Sequence, residues 1–196
     1  MTHSRDEVEQ AFRHYFLVGP VHEDWVAWSQ LFTDDAVYTD RFWGTFDGPA
    51  QILRWIEGTM VTAPQVYTVL DWYVVDGDRV VYRALNRADN PEPGGPAFDF
   101  PSFQIVTYAG EGRWRAEEDV WIAYESKKWA EAYFAACAAH DPEHPARRSR
   151  LDWGPVDWAR PEPGHQAQPS WIGRDDIVPL RSRRDVDFGR AAAASV

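Results

Sequence analysis

The order in which hydrophobic periods follow one another constrains this chain most. Residues 1–60 carry apolar side chains at helical spacing, whereas residues 66–123 carry β-branched and aromatic runs cut by tight turns. Ser4 and Glu7 form a capping box, and Val8, Phe12, Tyr15 and Phe16 follow on one helical face until Gly19-Pro20 stops it. A second helix is expected over 25–32, with Trp25, Trp28, Leu31 and Phe32 on one side. Residues 36–40 read as a short strand. Asp47 and Pro49 open a third helix, whose inner face is Ile52, Leu53, Ile56 and Met60. Strands over 66–75 and 79–88 are joined by Asp76-Gly77-Asp78, a hairpin signal, and NPEPGGP at 90–96 is a loop. Two further strands, 98–108 and 114–123, turn through Gly110-Glu111-Gly112, and 127–140 closes the series as a helix. Helices followed by consecutive antiparallel strands give an α+β fold. A strongly curved sheet wrapped around the early helices leaves an apolar pocket at one end.

Charge and proline divide the chain near residue 140. Residues 1–140 hold 11 basic and 22 acidic residues, and residues 141–196 hold nine of each together with half of the 14 prolines. The expected organisation is a domain over 1–140 and an extension over 141–196. Proline excludes a long helix or central strand from that extension. It is either a strap docked through Trp153, Trp158 and Trp171 or a partly disordered tail, with AAAASV at its end expected to fray. A net charge of −11 argues against nucleic acid and anionic membranes as partners. Eleven tryptophans point to large aromatic walls. The single Cys137 precludes an internal disulfide and suits a reducing compartment. The N-terminus lacks an apolar signal core and no run reaches the ~20 apolar residues of a membrane span, so a cytoplasmic location is expected.

The stretch LFTDDAVYTDRFWG at 31–44 resembles the LF-x-DDA-x-x-x-D segment of the nuclear transport factor 2-like superfamily. That group includes ketosteroid isomerases, SnoaL-like polyketide cyclases and limonene epoxide hydrolases. Gly48 with Ile52, DGDRVVY at 76–82 and RWRAEEDVW at 113–121 follow in the same order, so the resemblance spans residues 4–125. It implies a cone-shaped α+β fold. Asp40 matches the general base of the isomerases. Phe12, or Tyr15 one turn later, matches their helix-one tyrosine. Gln104 falls where they carry a protonated aspartate, so that acid is missing. Asp119 matches a late-strand aspartate used as acid or base by the cyclases and epoxide hydrolases. Tyr38 and Asp40 match the residues with which the hydrolases hold water. Arg87-Ala88-Asp89 supplies their Arg-x-Asp pair two positions along the chain. The histidine pair of scytalone dehydratases has no counterpart, because no histidine occurs over 23–139.

The residues themselves leave alternatives open. Alternation puts Ala36, Tyr38 and Asp40 on one strand face, where Asp40 is either a base facing a pocket or a turn cap before Arg41 and Gly44. Arg115, Glu117, Asp119 and Trp121 share a face, so Asp119 is either an acid–base group or part of an ion-pair ladder. Arg87 either stabilises a developing oxyanion or pairs with Asp89 or Asp119. His140 and His144 are split by Pro142 and make no metal site. The expectation is a cofactor-independent isomerase, cyclase or lyase/hydratase working on a small hydrophobic carbonyl or polycyclic compound. Asp40, Asp119, Tyr38 and Arg87 are its catalytic candidates, and Tyr15, Phe42, Trp43, Trp72, Gln104 and Trp121 its substrate contacts. The rivals are a non-catalytic binding or assembly protein of the same fold and an epoxide hydrolase. A homodimer is expected through the outer sheet face, with Phe103, Ile105 or Trp121 exposed there.

Overall fold

The computed structural model describes residues 3–165 and 167–186; the expected fraying end lies outside them. Helix α1 (Arg5–Phe16) begins where Ser4 Oγ accepts the Glu7 N–H, and it runs into a π turn over Leu17–Val21. Helix α2 (Trp25–Ser29) is shorter than its apolar spacing suggests. It stops because the chain is claimed by the sheet: the Leu31 carbonyl accepts the N–H of Trp114. Strand β1 (Phe32–Asp40) therefore starts earlier than residue 36. A short strand, β2 (Gly44–Asp47), turns back on it and leads directly into α3 (Gly48–Met60). Strands β3 (Tyr67–Asp76), β4 (Arg79–Ala88), β5 (Phe98–Gly110) and β6 (Arg113–Trp121) follow, then α4 (Ala123–His140).

The sheet order is β2-β1-β6-β5-β4-β3. All pairs are antiparallel except β1 with β6, which is parallel. The fold is α+β, an unclosed curved sheet with the N-terminal helices in its concavity. Phe12, Phe16, Phe32, Ile52 and Trp114 are buried between the two layers. Two bulges change what the alternation implies. In β3 the register passes from Leu70↔Ala84 to Trp72↔Arg83, so Asp71 is the extra residue. Trp72 is turned outward by it, 41% exposed and packed on Phe103. In β6 the neighbours of Trp114 and Ala116 are consecutive on β5, so Arg115 is extra and bonds the Tyr108 carbonyl. Trp114 and Glu117 thus both face inward, and Arg115 leaves the expected ladder.

The outer sheet face exposes Val37, Trp72, Val74, Phe103, Ile105 and Val120, each between 38% and 51%. Trp121 is on the inner face, not among them. Residues beyond α4 form an irregular segment with short 3-10 turns at His144–Arg147, Asp157–Ala159 and Arg183–Val186. It lies along the chain's own cone. Trp158 packs edge-on to Phe12 and Phe16, Trp153 meets Tyr67, and Ala159 and Leu180 are 1% exposed within the core. Leu180 needs Gly58 beneath it: a Cβ there would stand 2.7 Å from its side chain, and the Gly58 carbonyl accepts the Leu180 N–H.

Candidate active site

Between the concave sheet face and α1–α3 lies a cavity of about 260 Å³. Trp25, Trp28, Trp43, Trp55 and Met60 form its apolar walls, and Ser126 and Trp129 bring α4 to its mouth. Its floor is polar because of strand pairing. The parallel β1–β6 register sets Tyr38 beside Glu117 and Asp40 beside Asp119, and the β5–β6 register sets Gln104 beside Asp119. Three carboxylates thereby meet on two adjacent strands, among tyrosines and tryptophans.

Glu117 is the deepest of the three, 3% exposed. Tyr15 donates to its Oε2 at 2.5 Å and Tyr82 to its Oε1 at 3.4 Å. Loss of solvent outweighs these hydrogen bonds and pushes its carboxyl up to about 8, so it carries its proton at neutral pH. Burial raises the phenols of Tyr15, Tyr38 and Tyr82 as well, which keeps them neutral donors.

Asp119 accepts Gln104 Nε2 at 3.2 Å and the Tyr38 hydroxyl at 3.5 Å. Burial first, then the charge of Asp40 and, once it ionises, that of Glu117, hold its carboxyl well above the usual range. Asp40, 2% exposed, does what both of its sequence readings describe. Its Oδ1 caps the turn, accepting the N–H groups of Phe42 at 2.7 Å and Trp43 at 2.6 Å, while Oδ2 accepts Trp121 Nε1 at 3.0 Å. It also lines the cavity. Burial raises it, but all three donors favour its anion. Each carboxylate oxygen has two lone-pair sites, so Oδ2 keeps one for a ligand.

Of the residues singled out in the sequence, Tyr15, Tyr38, Asp40, Trp43, Gln104, Asp119 and Trp121 share this cavity. Three do not line it. Trp72 is on the outer face. Phe42 packs at a tilt against Trp121, ring centres 4.8 Å apart. Arg87 is held in a fork by Asp99, both bonds at 2.7 Å, and bonds the Asp152 carbonyl and carboxylate. Asp89 accepts Tyr67 Oη and the Leu151 N–H. The Arg87-Ala88-Asp89 pair thus anchors the C-terminal segment, and the expected convergence of Arg87 with Asp40 and Asp119 does not occur. Glu117 is the functional candidate that the sequence reading left unassigned, although it shares a face with Asp119 two residues on. Several buried polar atoms on cavity-lining side chains have no protein partner: Gln104 Oε1 and the indole N–H groups of Trp25, Trp28 and Trp55. Among the described residues, no group of three or more His, Cys, Asp or Glu side chains is placed to hold a metal ion, and no helix is long and apolar enough to cross a membrane.

A SnoaL-like domain model matches residues 8–117. No curated protein matches the sequence. Among solved structures, a SnoaL-like protein from Shewanella putrefaciens CN-32, described as a polyketide cyclase, superposes with a TM-score of 0.54 at 13% identity, over 64% of this chain and 86% of its own. An LEH-like epoxide hydrolase from M. tuberculosis gives 0.52 at 19% identity, over 69% of this chain and 97% of its own. A nuclear-transport-factor-2-like protein of unknown function from Burkholderia pseudomallei K96243 gives 0.52 at 16% identity, over 63% and 96%. At these identities the likeness establishes the fold.

Proposed function

The chain belongs to the SnoaL-like family, and from that premise we propose that it is a cofactor-independent acid–base enzyme acting on a small hydrophobic carbonyl compound. One observation carries the reading: burial raises two neighbouring carboxyls in one cavity, but only Asp40 has three N–H donors that support its anion. Three N–H donors favour the Asp40 anion, and burial beside other acids favours the neutral form of Asp119. Such a pair has a base and an acid ready at the same pH.

The geometry supports the following step. Asp40 Oδ2 takes a proton from the carbon next to the substrate carbonyl. Asp119 donates its proton to the carbonyl oxygen, and the electron pair of the C–H bond becomes the C=C bond of an enol. Return of the proton from Asp40 to another carbon completes an isomerisation. Attack of the enol on a second carbonyl carbon within the same molecule, whose C=O electron pair moves to its oxygen and takes the proton held by Asp40, completes a cyclisation. In either case Asp119 recovers its proton as the carbonyl re-forms. Tyr38 and Gln104 hold Asp119 in place, and neutral Glu117 keeps a further negative charge from accumulating beneath it. The unpartnered indole N–H groups of Trp25 and Trp55 and Gln104 Oε1 suit a ligand that carries oxygen groups on an apolar frame. The open, acid-floored cavity supports an enzyme over an assembly protein, which would fill its cone with apolar side chains. The use of Arg87 and Asp89 as anchors ranks epoxide hydrolysis lower.

Deuterium uptake into a surrogate ketone tests this. In D2O, wild-type protein should accelerate exchange next to the carbonyl of 2-tetralone, read by mass spectrometry. Asp40→Asn and Asp119→Asn should each cut the acceleration by about 10²-fold. No acceleration by wild type, or equal rates in the variants, would sink the proposal.

A further inference from the structure

The matched structures account for roughly two thirds of this chain and for most or nearly all of their own length, so about a third of this chain has no counterpart in them. What the C-terminal segment brings to the site is a cation. The segment is tied down along its course. Arg150 reaches Glu23 and the carbonyls of Pro64, Gln65 and Val66. Ser170 and Arg174 both bond the buried Glu57. Leu180 inserts over Gly58. Beyond Leu180, Asp185 accepts the N–H groups of Arg181 at 2.8 Å and Ser182 at 2.7 Å, which fixes a tight turn. Val186 packs on the core on the far side of that turn.

Between those two fixed points sits Arg183. Its guanidinium carbon lies 5.8 Å from the Phe42 ring centre. Phe42 in turn touches Trp43 and Trp121, two walls of the cavity, and its N–H is one of the Asp40 donors. Arg183 is exposed and forms no ion pair with any described carboxylate, unlike Arg41 on the neighbouring turn, which is paired with Glu118. The cavity therefore has carboxyls at the floor and aromatic walls, and a guanidinium with no ion pair to a described carboxylate lies on Phe42, the ring that packs against the Trp43 and Trp121 walls.

We infer that Arg183 is a specificity residue, and that the ligand is a hydrophobic molecule bearing a carboxylate or comparable anionic oxygen at the end that stays near the rim. The Asp40 anion repels such a group and the apolar walls offer it no counter-charge, so one orientation of the ligand is favoured. The flexible guanidinium stem bridges the gap from the aromatic layer to the anion, where a charge-assisted hydrogen bond is strong. The same charge opposes the effect of burial at Asp40, so the tail also favours the Asp40 anion. The inference rests on the cavity being a ligand site, but not on the chemistry performed there.

The test uses tryptophan fluorescence, because Trp43 and Trp121 wall the cavity. Wild-type protein is titrated with 2-naphthoate and with the neutral 2-naphthalenemethanol, at low and high salt, and so are Arg183→Gln and Arg183→Lys. Wild type should bind the carboxylate more tightly than the alcohol. Arg183→Gln should weaken naphthoate binding by about tenfold and leave the alcohol unchanged. Arg183→Lys should restore part of the loss, and melting temperatures should stay alike. Equal affinities of wild type and Arg183→Gln for naphthoate, or equal losses for both probes, would overturn the role of Arg183 while leaving the cavity a ligand site. Failure of wild type to bind either probe would overturn both the ligand site and the inference.

Discussion

Glu117→Gln should change how stability depends on pH more than it changes stability itself. In the folded protein the Glu117 carboxyl titrates at about 8, against 4.5 for the free side chain. Between those values the folded state holds a proton that the unfolded state has released. The raised group therefore contributes stability that is fully present below about pH 4.5 and is lost as pH climbs through about 8. The slope is about 1.4 kcal/mol per pH unit at its steepest, and the total is on the order of 4 kcal/mol, a large share of a domain's ~5–15 kcal/mol. Glutamine has the same shape and does not titrate. Its oxygen can accept the Tyr15 hydroxyl, and its NH2 can donate to the Tyr82 oxygen, so the substitution itself should cost about 1 kcal/mol at low pH. Asp119 feels the Glu117 charge, so the difference reads Glu117 together with that coupling. Urea unfolding of both proteins from pH 5 to pH 9 reads the effect. The variant should start slightly less stable and finish more stable, with the difference rising by several kcal/mol. Parallel curves would refute a buried neutral Glu117.

Three other results follow from the structure. The outer sheet face, with its half-exposed Trp72, Phe103 and Ile105, should pair two copies of the chain, so Phe103→Lys should turn a dimer into a monomer in light scattering; a wild-type monomer at micromolar concentration would count against this. Glu57→Gln should loosen the C-terminal segment by removing the charge that holds Arg174, at a cost of about 2 kcal/mol. Faster proteolysis within residues 167–186 is the expected readout, and unchanged cleavage would show that this anchor is idle. Asp40→Asn should destabilise the fold by about 1–2 kcal/mol besides abolishing the base, because its NH2 would face the Trp121 N–H; an unchanged melting temperature would contradict the hydrogen bonding assigned to Oδ2.

Local signals carried much of this architecture. The Ser4–Glu7 box, the Asp76-Gly77-Asp78 hairpin and the alternation of Tyr38 and Asp40 each depend on near neighbours, and each is found as the sequence implies. The bulges at Asp71 and Arg115 carry no glycine or proline to mark them. They reverse the alternation around them, which is why Trp72 turns outward and Trp114 inward. Strand β2, Gly-Thr-Phe-Asp, is four residues long, too short for its alternation to mark it as a strand. The fate of Arg87 was hidden for another reason. Its partners Asp99 and Asp152 come from the next strand and from the tail, so only the docked tail shows that it is committed. Arg183 comes to Phe42 by the same long-range route. Glu117 was accessible to the period-two rule once Asp119 was placed inward.

The most direct measurement is a carboxyl titration by 13C NMR on protein labelled at the aspartate and glutamate side-chain carboxyls, with signals assigned through Asp40→Asn, Glu117→Gln and Asp119→Asn. A working acid–base cavity predicts that Glu117 titrates near pH 8 and Asp119 well above the ordinary aspartate range, with Asp40, raised by burial but held by three N–H donors, losing its proton before either. Titration of all three at ordinary carboxylate values, near pH 4, would contradict it.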